Sequence, residues 1–159
     1  MTGHPMRLAF LAAALLLASS AALAAPADVA LLMGYAGNWR GAGALSGAEQ
    51  GSISCRMVLR PAGERLSFDG RCSLNGESRS LEGMLSYNDA AGRYESRSSA
   101  GTFLGYRTGN GVVFSVEDRN DYGQFNSLLA LEGGGITVDF RIIDGRSGGV
   151  TTTTVRFSR

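Results

Sequence analysis

The sequence predicts an all-β protein in which about ten antiparallel strands close into an up-and-down barrel, with a short helix on the N-terminal side. Short segments of alternating apolar and polar residues recur about every ten residues. Turns rich in glycine separate these segments. The sequence has 23 glycines in 159 residues, and they recur with no fixed period. No gap is long enough for the helix of a parallel crossover. Closing the sheet removes its two unpaired edges, and a two-sheet β-sandwich is the alternative.

The first 24 residues have the three-part layout of a cleavable secretory signal. Arg7 precedes an apolar run over residues 8–18, and small residues then lead to an Ala-x-Ala site that ends at Ala24. The run is too short for an ordinary membrane helix, and no later segment reaches about 20 apolar residues. We therefore expect a signal peptide over 1–24, a single β-barrel domain over 25–159, a periplasmic or secreted location and no membrane span.

The first structural element after the signal is predicted to be a short helix over Val29–Met33. Asp28 precedes it, and an aspartate at this place is a good N-cap.

The best-defined strands form a hairpin from Ile53–Leu59 and Leu66–Leu74. If Gly63 and Glu64 are the central turn residues, each cysteine lies about eight residues from the turn, so Cys55 stands opposite Cys72. Glycine in the first central position suits a type II′ turn. Because an exported chain works in an oxidising compartment, we expect Cys55 and Cys72 to form a structural disulfide.

Eight further strands follow from the same alternation and from the turn residues between them. They are Trp39–Leu45, Arg79–Tyr87, Arg93–Ser98, Thr102–Thr108, Val112–Glu117, Phe125–Leu131, Ile136–Ile143 and Val150–Phe157.

Composition removes most catalytic chemistry from the predicted mature chain. The chain has no lysine, and its one histidine, His4, lies in the signal. This excludes Ser-His-acid triads, Schiff-base lysines and histidine metal sites. Without Arg7, 14 of the 15 basic residues remain against 14 acidic ones, so the basic excess of a nucleic-acid binder is missing. We expect no enzyme, no cofactor, no metal and no nucleic-acid partner.

The densest acidic stretch, residues 117–121, offers oxygen atoms that could bind calcium. It lacks the spacing and the glycine of a calcium loop, and Arg119 interrupts it. A solvated turn is the better interpretation.

Aromatic residues supply the candidate structural and binding positions. Trp39, the only tryptophan, is predicted to be structural and to plug the closed end of the barrel. Tyrosines mixed with arginines suit a lumen that holds a small amphipathic or anionic molecule, with core aromatics and surface arginines as the alternative. The candidate lumen residues are Tyr87, Tyr94, Tyr106, Arg107, Tyr122 and Arg141.

Several short motifs resemble those of calycin barrels. Gly37 and Trp39 after a short helix are similar to the first lipocalin motif, and residues 121–125 are similar to the second. This resemblance implies a late arginine over the tryptophan, Arg141 or Arg156. Residues 39–43 also resemble the opening of the nitrobindin-like barrels that hold haem through a histidine, which the predicted mature chain lacks. Most of the mature chain is similar to small exported proteins of Gram-negative bacteria without an assigned activity.

Three functions remain from these observations. The leading hypothesis is an exported barrel that binds a small ligand in its lumen or persists as a stable envelope protein. The alternative is a protein-protein module, such as an inhibitor of a secreted protease or of lysozyme. An esterase or glycosidase that uses carboxylates is the third.

Overall fold

The computed structural model describes residues 24–159. The predicted signal therefore lies outside the described residues apart from Ala24, and it stays a prediction. The first element, α1, spans Ala24–Met33 and is longer than the helix expected from the sequence. Asp28 lies inside α1, so its predicted role as an N-cap is wrong. No helix in the described range is long and apolar enough to cross a membrane.

Ten strands follow α1, and each contains a segment that the alternation predicts. Most extend by one to three residues beyond the predicted ends, because the ladders continue up to the turns. The strands are β1 Gly37–Gly47, β2 Gly51–Ala62, β3 Arg65–Leu74, β4 Glu77–Asn88, β5 Arg93–Ser98, β6 Gly101–Thr108, β7 Gly111–Asn120, β8 Gly123–Glu132, β9 Gly135–Asp144 and β10 Val150–Ser158.

The strands form one closed antiparallel barrel in which each strand pairs with its neighbours in sequence. The sheet closes where β1 pairs with β10, for example with Gly41 opposite Phe157. This confirms the barrel, and the sandwich alternative is wrong. The short connections explain the topology, because hairpins bring consecutive strands side by side.

The β2–β3 hairpin has the predicted register. Cys55 stands opposite Cys72, and the two residues form a disulfide with their Cα atoms 4.1 Å apart. Gly63 has φ of 65°, while Glu64 is not among the residues with positive φ. These signs match the type II′ turn that the sequence predicts.

One end of the barrel is closed by α1, and we call it the closed end. The turns of β2–β3, β4–β5, β6–β7 and β8–β9 lie at this end. Alternation along each strand sends one set of side chains into the lumen. The fully buried members of this set pack with Leu32 of α1. They are Trp39, Leu66, Leu85, Tyr94, Val112, Phe114, Leu131, Ile136 and Val155. The opposite end, with the β9–β10 loop over residues 145–149, is the open end.

Candidate functional site

Trp39 lies at the closed end, where its ring is buried among core side chains. Its indole Nε1–H donates to the carbonyl oxygen of Tyr35 at 2.9 Å. The guanidinium of Arg159 lies 4.9 Å from the centre of the Trp39 ring, and it also donates to the Gly34 carbonyl at 2.5 Å. The late arginine over the tryptophan is therefore Arg159 rather than Arg141 or Arg156. The contribution of Trp39 to stability stays a prediction.

A polar cluster fastens α1 to the barrel at the same end. The Tyr94 hydroxyl donates to Oδ1 of Asp28 at 2.6 Å, and Arg107 Nη1 donates to the same oxygen at 2.9 Å. Burial, followed by the Asp28 carboxylate, raises the pKa of Tyr94, and the same two causes raise the pKa of Tyr87. Sequence reasoning missed this role of Asp28. The signal was present, since Asp28 stands one helical turn before the buried Leu32 on α1.

The structure brings three of the six predicted lumen residues together in this cluster. Tyr94 and Tyr87 point inward, and their rings meet edge to face with centroids 5.0 Å apart. Arg107 reaches Asp28 from the rim of the closed end. Because α1 covers these residues, they face the floor of the barrel. Their proposed contact with a ligand stays a prediction.

The other three predicted lumen residues lie outside the lumen. Tyr106 follows the inward position of Gly105 on β6, so alternation sends its side chain to the outer wall, where it is exposed. Tyr122 lies in the β7–β8 turn and is 78% exposed. Arg141 neighbours the inward Phe140 on β9 and also faces out. Their assignment to the lumen is wrong, because residue type was weighed there without strand alternation.

The inward side chains nearer the open end remain accessible to water and form an apolar cup. Leu74 is 39% exposed and Ile142 is 45% exposed at its rim, while the others are half-buried. The rings of Phe125 and Phe140 pack at 5.8 Å between centroids in its wall. The cup consists of Ile53, Leu74, Leu81, Phe103, Val116, Phe125, Phe140 and Ile142.

Polar residues in the cup region are arranged by depth. Hydroxyl side chains of Ser127 and Thr153 flank Phe140 on the neighbouring strands. Two charged residues occupy inward positions at the rim. In the strand register, Arg79 is opposite Cys72 and Asp118 is opposite Phe125. The cup therefore has an apolar wall, with charged side chains at its entrance and the hydroxyls of Ser127 and Thr153 buried behind the wall.

Open grooves lie on the outside of the barrel, and two of them differ in their lining. One, of about 640 Å³, crosses the outer faces of β1, β8, β9 and β10 and is lined mainly by small and polar side chains. The other, of about 1070 Å³, runs beside α1 and reaches Glu95 on β5. Arg97 Nη2 and Asn88 Nδ2 each donate to Glu95 at 2.8 Å, and these bonds lower the pKa of its carboxyl. The hydrogen-bonding capacity of the Glu95 carboxylate is therefore used by Arg97 and Asn88 of the protein itself.

The longest connection at the open end is the β9–β10 loop, which is held by Asp144. Its Oδ1 accepts from the backbone N–H of Ser147 at 2.7 Å, from the Ser147 hydroxyl at 2.8 Å and from the N–H of Arg146 at 3.1 Å. The Ser147 bonds come first among the causes that lower the pKa of Asp144. The β9–β10 loop is thus held in one conformation by hydrogen bonds to Asp144, and it carries the exposed Arg146.

The fold and the site define a protein class: a closed, ten-stranded, antiparallel β-barrel with a helix-covered floor and an open apolar cup. No protein-family model matches the chain, and no curated protein matches it. Among solved structures it is similar to the crystal structure of Rv2717c from M. tuberculosis, with a TM-score of 0.55 and 15% identity. The similarity covers 84% of this chain and 98% of that chain. At this identity the comparison supports the barrel fold alone.

Proposed function

We propose that the protein is a non-catalytic, exported barrel that binds a small amphipathic molecule in the apolar cup. The observation that carries this proposal is the ring of large apolar side chains left accessible to water at the open end of the lumen. Soluble proteins rarely leave apolar side chains grouped in this way unless something binds there, and ligand sites are commonly concave and apolar with a few polar groups. The Cys55–Cys72 disulfide supports a location outside the cytoplasm.

The arrangement of polarity favours an amphipathic ligand over a wholly apolar one. An apolar chain inside the cup would cover the accessible phenylalanine rings, and each Å² removed from water would contribute about 25 cal/mol. A charged head group would stay at the rim, where water and the side chains of Arg79 and Asp118 are available. Burying that charge deeper would cost several kcal/mol.

The test is the binding of an environment-sensitive apolar dye to two matched variants. Ile142→Asp places a carboxylate at the rim of the cup, whereas Leu128→Asp places one on the outer wall of the adjacent strand. The two residues are 45% and 47% exposed, so the substitutions disturb folding to a similar degree. We expect Ile142→Asp to weaken dye binding by roughly tenfold or more and Leu128→Asp to leave it within about twofold.

Equal binding by both variants and the unmodified protein would place the dye outside the cup and refute the proposal. Native mass spectrometry of the exported protein then identifies the ligand class. A retained small molecule of mixed polarity is the expected result.

The β9–β10 loop favours a second candidate function, the protein-protein module. An exposed loop held by the Asp144 carboxylate presents Arg146 with little ordering cost on binding. Inhibition of a trypsin-like protease, lost in Arg146→Ala, would support it. If the protein does not inhibit such a protease, the inhibitor hypothesis is wrong and the proposed ligand site in the cup remains.

A further inference from the structure

Three arginines stand side by side on the outer wall of the barrel, across β1, β2 and β3. Arg40 is opposite Arg56, and Arg56 is opposite Arg71, so the three occupy one row perpendicular to the strands. All three are exposed. With strands about 4.8 Å apart, this arginine row spans about 10 Å.

The arginine row is not neutralised by the protein. The ion pairs within residues 24–159 involve Arg93, Arg97 and Arg107, and none involves the row. The nearest outward acids on β3 and β4, Asp69 and Glu82, stand opposite each other and form no ion pair. Like charges placed directly opposite each other are destabilising. The row therefore opposes folding, and stability does not explain it.

The surface on the open-end side of the row is rich in small hydroxyl side chains. The cross-strand neighbours on its open-end side are Ala42, Ser54 and Ser73, and Ser80 stands opposite Arg71. Of the exposed large apolar side chains, Tyr106 and Leu128 point outward from β6 and β8, Tyr122 lies in the β7–β8 turn, and Leu74 and Ile142 point toward the lumen. The arginine row thus combines guanidinium groups with small hydroxyls and has no aromatic platform.

We propose that the arginine row is a docking surface for an acidic polysaccharide. A guanidinium presents two parallel N–H groups that match a carboxylate, so successive uronate groups can each pair with one arginine. The flanking serines then exchange hydrogen bonds with sugar hydroxyls. Single-stranded nucleic acid is disfavoured, because such sites stack bases on aromatic rings. A bilayer surface is disfavoured too, because interfacial binding uses inserted apolar side chains.

The test measures the binding of a fluorescein-labelled oligogalacturonate to the full exported chain by fluorescence anisotropy. The row variant is Arg40→Gln, Arg56→Gln and Arg71→Gln combined. The control variant removes the same charge from exposed positions on other strands and loops and combines Arg119→Gln, Arg141→Gln and Arg146→Gln. A labelled oligonucleotide and vesicles of anionic phospholipid are measured alongside.

We expect the row variant to bind the oligogalacturonate roughly tenfold or more weakly, and the control variant to stay within about twofold. Binding should also weaken as ionic strength rises, because salt screens exposed charges. The thermal midpoint of the row variant should not fall, since two like-charge pairs are removed. Equal weakening in both variants, tighter binding of the oligonucleotide or the vesicles, or no binding at low ionic strength would each overturn the proposal. The cup is untouched by these substitutions, so the test is independent of the proposed function.

Discussion

Replacing Trp39 by alanine should destabilise the barrel by about 4–6 kcal/mol. A buried tryptophan removes about 150–250 Å² of surface from water, which corresponds to roughly 4–6 kcal/mol at 25 cal/mol per Å². The variant also leaves the Tyr35 carbonyl without its 2.9 Å donor and removes the ring under Arg159. Trp39→Phe keeps most of the apolar contact and loses the N–H, so it should cost only about 1–3 kcal/mol.

Urea unfolding followed by far-ultraviolet circular dichroism measures both variants without using tryptophan fluorescence. With a slope of about 2 kcal/mol per M, the alanine variant should shift the midpoint by roughly 2–3 M and the phenylalanine variant by about 1 M. Tyr122→Ala is the control, because that ring is 78% exposed and its loss should change stability by less than about 0.5 kcal/mol. An alanine variant within about 1 kcal/mol of the unmodified protein would refute the structural role of Trp39.

Two further predictions concern the closed end and the hairpin. Asp28→Asn should destabilise the protein by about 1–2 kcal/mol, because the half-exposed Arg107 loses its counterion and Tyr94 its charged acceptor. The pKa of Tyr94 is raised in the folded protein above the value of about 10 in the unfolded chain. The free energy of unfolding is therefore unaffected by this group below about pH 10, and it falls as the pH rises further, because the unfolded state loses the phenol proton first. Denaturation at rising pH should show a smaller alkaline loss in Asp28→Asn, and an identical loss would contradict the assigned contact. Thiol titration of the unreduced, unfolded protein should find neither Cys55 nor Cys72 free; two free thiols would disprove the bridge.

The local parts of the fold could be predicted because their causes are local. The Cys55–Cys72 register depends on a two-residue turn and on alternation that extends only to Leu74, so a short segment contains all the information. Strand ends were less accurate, since pairing continues to residues such as Gly51 that show no apolar pattern. The antiparallel order followed from the lack of room for a crossover helix, and the closure of the sheet followed from the need to pair its two edge strands.

The candidate site was harder to predict because it depends on contacts between distant residues. Asp28 is 66 residues from Tyr94 and 79 residues from Arg107 along the chain. The sequence around Asp28 does not indicate which residues it contacts. The direction of Tyr106 also depends on a contact between neighbouring strands. Gly105 must face inward, since a Cβ there would lie 2.6 Å from the Phe114 ring, and this sends Tyr106 outward.

The two ends of the barrel differ in how completely they bury their inward side chains. At the closed end, Trp39 and Tyr94 are buried and hydrogen-bonded, and α1 completes a dense core. At the open end, Phe125 and Phe140 pack against each other but stay only half-buried. If the open end served stability alone, larger side chains at the inward positions of Ser127 and Thr153 would bury these rings and gain about 25 cal/mol per Å². The small side chains at those positions leave the two rings half-buried, as expected if the proposed ligand covers them.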